Sequence, residues 1–220
     1  MRRKQFNIEA IPDFMAGFYS LIARKISCIR DIHTEVAGEV AAEISSGRLL
    51  DIGTGPGYVP FEIAKRAPGL EIIGIDLSSG MIEIADRNAR ESGISERVKF
   101  EVADAARLPF EEGYFDFVIS TLSLHHWRNP AACIKEIHRV LKENGRAYIY
   151  DLRRDATKEA GSQLKKKYGW FLSFLFLKIV MLHSSITLSD TEKIISSLEV
   201  NFTQKTVQEK GVILKLYMIK

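Results

Sequence analysis

Cysteine is scarce in this chain. The two present, Cys28 and Cys133, stand far apart and form no metal or redox motif. That excludes a disulfide-stapled scaffold and suits a reducing compartment. Excess charge is missing too: the net charge of +3 over 220 residues is too slight to argue for nucleic acid. No Lys/Arg-rich helix with interleaved aromatics is present to enter a groove, so no nucleic-acid partner is expected. No uninterrupted apolar run reaches the ~20 residues that cross a bilayer; the most apolar stretch, Trp170 to Leu182, is broken by Lys178. Met1-Arg2-Arg3-Lys4 is basic, but Asn7, Glu9 and Asp13 interrupt anything like a signal-peptide core. A cytoplasmic location is expected. His33, His138 and His183 have no partners at metal-ligand spacing, and no metal is expected.

What is present is a core. Apolar residues make up 46% of the chain, enough for one full domain, 1–220. Strand and helix patterns alternate, which predicts an α/β fold with a mostly parallel sheet and helices on both faces. Strands are predicted at 48–52, 71–76, 98–103, 115–120 and 146–152, and helices at 57–67, 79–92 and 130–143. Asn129-Pro130 should start the last helix and Gly145 end it. Its apolar stripe is Ile134, Ile137, Val140 and Leu141. Runs near 199–206 and 212–219 should close the sheet as an antiparallel pair, turning at Gln208-Glu209-Lys210-Gly211.

Leu49 to Gly57 reads Leu-Leu-Asp-Ile-Gly-Thr-Gly-Pro-Gly. An apolar strand ends in an acid and runs through glycines at alternate positions into a helix near Pro56. Gly lets a ligand approach the main chain, and the helix start aims unpaired N–H groups at the turn. A dinucleotide turn reads G-x-G-x-x-G, but its third glycine position is Tyr58. A Walker A loop ends in Gly-Lys-Ser/Thr, and none follows. A carboxylate at Asp51 would repel pyrophosphate and suits a cationic amino group. Ile72-Ile73-Gly74-Ile75-Asp76 is a second strand ending in an acid, placed to accept both hydroxyls of a ribose. Leu77 follows it, Ser78 or Ser79 can cap the next helix, and Met81 either lies on an adenine face or fills the core. Val98 to Ala105 ends in Asp104-Ala105: an acceptor for the adenine amine and an N–H for a ring nitrogen. Phe115 to Ser120 is a buried strand leading into Thr121-Leu122-Ser123-Leu124-His125-His126-Trp127.

In order and spacing, the segments D-I-G-T-G-P-G, G-I-D-L, V-A-D-A, F-D-F-V-I-S and R-V-L-K-E-N-G-R-A-Y-I-Y resemble the class I S-adenosylmethionine-dependent methyltransferases of the small-molecule, methyltransferase type 11-like kind. The likeness runs from about Val36 to Leu152. It implies a seven-stranded Rossmann-like methyltransferase sheet and the cofactor S-adenosyl-L-methionine, with S-adenosyl-L-homocysteine as product. It implies that Asp51, Gly53, Thr54, Gly55 and Gly57 hold the methionine end, Asp76 the ribose, and Asp104 with Ala105 the adenine. Leu77, Met81 and Ser120 complete the expected cofactor set. Thr54 and Pro56 stand where relatives often carry Cys and Thr.

Methyl transfer from a sulfonium mainly requires alignment; a base is needed only where the acceptor must lose a proton. His125 is the candidate base, with loop packing as its bland alternative; His126 and Trp127 are candidate pocket walls. Residues 12–45 read as two amphipathic helices with Phe14, Phe18, Leu21 and Ile22 on one face, so 1–45 is expected to form a lid. Tyr19 on that lid either reaches cofactor or acceptor or packs. Residues 155–196 form an expected cap. Its apolar part, 169–182, follows Lys165, Lys166 and Lys167; it is a buried helix, a membrane-surface contact, a wall for an apolar acceptor or a homodimer contact. Ser189-Asp190-Thr191-Glu192 reads as a capping box. The expected acceptor is a small molecule. Rival readings are an NAD-type oxidoreductase, which shares sheet and ribose acid, and a non-catalytic cofactor-binding protein. A base-modifying methyltransferase is disfavoured because Ser-Thr-Leu-Ser replaces an Asn/Asp-Pro-Pro-Tyr/Phe element.

Overall fold

Adjacent residues of a strand face opposite ways, and the apolar residues here divide accordingly. Leu49, Phe117, Ile119, Tyr148 and Tyr150 join one buried cluster; Leu50, Val118, Ala147 and Ile149 join the other. The strands are therefore apolar on both faces, the signature of a sheet covered on both sides. The computed structural model describes residues 16, 17, 20, 26–170 and 185–220. Along the chain it shows α1 (Ser27–Glu43), β1 (Ser46–Ile52), α2 (Tyr58–Arg66), β2 (Gly69–Asp76), α3 (Ser79–Glu91), β3 (Val98–Val102) and β4 (Phe115–Thr121). A 3₁₀ turn (Leu124–His126), α4 (Pro130–Val140), β5 (Leu141–Leu152), α5 (Lys158–Tyr168), α6 (Leu188–Ser196), β6 (Gln204–Lys210) and β7 (Ile213–Ile219) follow.

The sheet is seven-stranded in the order β3-β2-β1-β4-β5-β7-β6. The pairings among β1 to β5 are parallel, and β7 pairs antiparallel with both β5 and β6. Helices α1, α2 and α5 pack on one face, α4 and α6 on the other. The strand order reverses between β1 and β4, and ligands in such sheets bind beyond the carboxyl ends at that switch point. The predicted α/β architecture is thus the one observed. Among the described residues no helix is long and apolar enough to cross a membrane.

Several boundaries differ from the sequence reading. Helix α2 starts at Tyr58, with Gly57 in left-handed backbone (φ 81°) at its N-cap, so Pro56 lies in the turn ahead of it. Helix α4 does start at Asn129, whose side chain accepts from the Ala132 N–H. It stops at Val140, because Leu141 already pairs with Phe115. Gly145 is not the helix stop: a Cβ there would sit 2.7 Å from the Lys142 carbonyl oxygen. Strand β6 is Gln204–Lys210 rather than 199–206, and Lys210 pairs with Ile213, which moves the turn to Gly211-Val212. Helix α6 is capped by Thr187, which accepts from the Asp190 N–H at 3.1 Å, two residues before the predicted box. The expected lid and cap fall partly outside the described residues: Phe14, Phe18, Tyr19, Leu21, Ile22 and 171–184 are among those not described.

Candidate active site

The turn after β1 is held by backbone. The N–H groups of Gly53 and Thr54 donate to the Ile75 carbonyl at 2.8 and 2.9 Å. This draws the turn against the end of β2, where Gly55 N–H donates to Asp76 Oδ2 at 2.9 Å and Ser78 N–H to Oδ1 at 3.0 Å. Gly53 has φ 71°, and a Cβ there would lie 2.5 Å from the Ser123 Cβ. The site therefore requires glycine on two grounds. A Cβ on Gly55 would meet nothing within 4 Å; this is the open side of the turn.

An open cleft lies over the switch point. Asp51, Gly53, Thr54, Gly55, Asp76, Leu77, Met81 and Ala105, all singled out from sequence, line it, as do His126 and Trp127. Met81 is 1% exposed, so it is at once core and cavity wall. Ala103 and Ala105 reach the cavity, while Asp104 between them is exposed and accepts from the Ala106 N–H at 2.8 Å. Ser120 is fully buried behind the wall; its hydroxyl meets that of Ser123 at 2.6 Å. Gly57 also stands behind the lining, at the start of α2. Tyr19 lies outside the described residues.

Sequence reasoning did not single out several other wall residues, five of which bear on the site's chemistry or shape. His33 on α1 and Tyr58 at the start of α2 face the cavity beside the glycine turn, and Thr121, Leu122 and Ser123 face it after β4. Burial pushes His33 down to about 4, so its imidazole is neutral at neutral pH. Leu122 adopts φ 58°, an uncommon conformation for a large side chain that collects at functional sites. Nothing in the chain announces His33; only the packing of α1 on α2 brings it here.

His125 is placed differently from its neighbour. Its Nδ1 lies 2.8 and 2.9 Å from the two oxygens of Asp151, and its backbone N–H donates to Asp151 Oδ2 at 2.8 Å. The Nε2 is enclosed and has no partner. The ring packs 4.0 Å from that of His126, centroid to centroid. His126 is on the cavity wall and His125 is not among its lining residues.

The charges of the cavity define what it can hold. Asp51 is 2% exposed; burial pushes it up to about 7, the nearby Thr54 side chain opposing this and the charge of Asp76 adding to it. Asp76 is raised as well, by burial, against the N–H groups of Ser78, Gly55 and Leu77. Asp51 Oδ1, Thr54 Oγ1 and Thr121 Oγ1 are buried without a protein partner. Unmatched buried acceptors beside two carboxylates ask for a ligand that brings cations and donors. An ammonium and a ribose diol supply both, so these residues fit an S-adenosylmethionine-type nucleoside. A dinucleotide would place pyrophosphate against the same two acids.

A family model described as a methyltransferase domain matches residues 50–149, which contain every cofactor position named above. The chain is 37% identical over 106 residues to a ubiquinone/menaquinone biosynthesis C-methyltransferase of Geotalea uraniireducens, covering 48% of this chain and 45% of that protein. It is 31% identical over 157 residues to a demethylmenaquinone methyltransferase of Thermotoga maritima, covering 71% and 66%. The chain thus spans between about half and two thirds of the lengths of these relatives. A solved structure of a candidate S-adenosyl-L-methionine-dependent methyltransferase from Methanococcus maripaludis superposes over 99% of this chain and 95% of its own, with a TM-score of 0.72 at 21% identity. That likeness speaks for the fold. Sheet order, glycine turn, paired acids and matched domain agree: the chain belongs to the class I S-adenosylmethionine-dependent methyltransferases.

Proposed function

We propose that the protein transfers the methyl group of S-adenosylmethionine to a small, neutral, largely apolar acceptor. The observation that carries this reading is the buried, unpartnered Oδ1 of Asp51 in a cavity shared with Asp76. When bound, the cofactor supplies a sulfonium methyl already activated for in-line displacement. Asp51 and the turn from Gly53 to Gly57, with Thr54, hold its amino-acid end. Asp76 accepts from the ribose, Leu77 and Met81 flank the nucleoside, and Asp104 with Ala105 reads the adenine. Ser120 supports the wall through Ser123. The chain's chief work is alignment, which is worth ~7–11 kcal/mol in well-oriented reactions.

The wall supports this acceptor class. Among its described residues there is no Lys or Arg, and His33 is neutral; nothing there would attract an acceptor anion. Tyr58, His126 and Trp127 offer flat surfaces and Thr121 a hydroxyl. Relatives named for C-methylation in quinone biosynthesis and of sterols support a ring compound. For an acceptor that must lose a proton, His125 is the proposed base, with Asp151 fixing Nδ1 and leaving the Nε2 lone pair. The enclosure of Nε2 favours a second reading, in which the pair braces the loop that carries His126 and Trp127. Residues 1–45 and 155–196 are the proposed lid and cap. Trp170, 66% exposed, supports contact of 169–182 with a membrane surface or a second copy.

The test is incubation of the pure protein with methyl-labelled cofactor and a panel of hydroxylated aromatic and polycyclic lipids. Label in a neutral ring product is expected. Label only in anionic or macromolecular products would sink the acceptor class, and stabilisation by NADH but not S-adenosylhomocysteine would reverse the reading. His125→Ala separates its roles: a slowed, pH-shifted turnover with unchanged cofactor affinity marks a base, whereas unchanged turnover marks a brace.

A further inference from the structure

The connection from β3 to β4, residues 103–114, carries the adenine side of the cavity yet has almost no regular structure. Its only pairing among the described residues is an isolated bridge between Asp104 and Arg107. At its start, Ala103 N–H donates to the Asp76 carbonyl at 3.1 Å. Beyond that, helix α4 holds it. Glu136 Oε2 accepts from the Leu108 N–H at 2.8 Å. Arg139 spans two carbonyls, donating from Nη1 to Phe110 O at 2.7 Å and from Nη2 to Leu108 O at 2.9 Å. The guanidinium is itself fixed by Glu136, through Nε to Oε1 at 2.9 Å and Nη2 to Oε2 at 2.8 Å. The Arg139 carbonyl accepts from the Gly113 N–H at 3.0 Å. Leu108, gripped at both N–H and C=O, is 4% exposed.

We infer that Glu136 and Arg139 are positioning residues for base recognition: they hold the 103–114 connection at the height where Asp104 and Ala105 read the adenine. This rests on the cofactor reading above. Neither residue lines the cavity. A flexible link of this length would lose conformational entropy each time a ligand ordered it. A planar, two-armed donor locked by a carboxylate sets that order beforehand. Lysine cannot reproduce the grip, because it offers a point charge without the fork.

Calorimetry on the wild-type chain, Arg139→Lys and Glu136→Gln tests this with two ligands. One is S-adenosylhomocysteine; the other is S-inosylhomocysteine, in which a ring carbonyl replaces the exocyclic amine. The wild type should prefer the adenosyl ligand. In both variants Kd for that ligand should rise about tenfold, the equivalent of losing one charge-assisted hydrogen bond, and the preference should shrink with it. General destabilisation would weaken both ligands alike. Amide hydrogen exchange of the ligand-free variants should quicken across 104–113 while β1 and β4 stay protected. Equal weakening of both ligands, unchanged affinity, or unchanged exchange in the connection overturns the inference, as does a wild type indifferent to the base. A wild type that binds neither nucleoside overturns the cofactor reading, and the inference with it.

Discussion

Asp51 is the residue expected to change protonation state when a cationic ligand fills the cavity. Without ligand, burial holds it at about 7, whereas an unfolded chain ionises it near ~3.9. The folded form binds the extra proton between those values. Its contribution to stability is therefore full below the unfolded pKa and is lost as pH rises towards 7. Denaturation of the ligand-free protein at pH 5 and pH 8 should show this loss, and Asp51→Asn should remove that part of it. Comparison with the variant matters, because His33, held down to about 4 by burial, is protonated in the unfolded chain but not in the folded one over the lower part of this range and acts in the opposite sense. Cofactor affinity should run the other way. A bound ammonium favours the carboxylate, so below about 7 binding must expel a proton and affinity falls as pH drops; calorimetry in buffers of different ionisation enthalpy reads the proton directly. Asp76→Ala should weaken S-adenosylhomocysteine by more than the ~1 kcal/mol of a neutral hydrogen bond. It removes a charged acceptor and also frees the Gly55 and Ser78 N–H groups it now holds. Gly53→Ala should cost about 1–3 kcal/mol in urea denaturation, because its Cβ collides with Ser123 at positive φ.

The helices and strands show where local pattern suffices. Asn129-Pro130 and Ser78 cap their helices as their sequences predict, since cap and first turn lie within one short segment. Helix α6 does not follow that rule. Two cap patterns overlap there, and tertiary pairing chooses between them: Ile186 N–H donates to the Leu152 carbonyl and Arg154 N–H to the Ile186 carbonyl, each at 2.9 Å. That holds residue 186 extended, so the helix starts directly after it with Thr187 as cap. Thr187→Ala should therefore cost about 1 kcal/mol and Ser189→Ala much less, measured by urea midpoint. Strand β6 is one of the expected closing pair but lies later than the expected 199–206, for another reason. It is a sheet edge, its residues exposed or half-buried throughout, and a polar edge strand has no alternation to read. Its register comes from β7.

In the molecule as a whole, the cavity ties β1, β2 and β4 to helices α1 and α2, so a ligand there should stabilise the entire unit. S-adenosylhomocysteine at a hundred times its Kd should add about 2.7 kcal/mol to unfolding, seen as a rise in Tm that NADH does not reproduce. The chain's order of residues was enough for the sheet, the glycine turn and the acids at the strand tips, because each is written in a short, nearly continuous apolar run ending in one functional group. Only the packed structure brought His33, Tyr58, Thr121 and Leu122 to the same wall, enclosed His125 against Asp151, and set Glu136 and Arg139 beneath a connection some thirty residues earlier in the chain. These placements depend on how separate elements cross, and no local period records the angle or distance at which two elements meet.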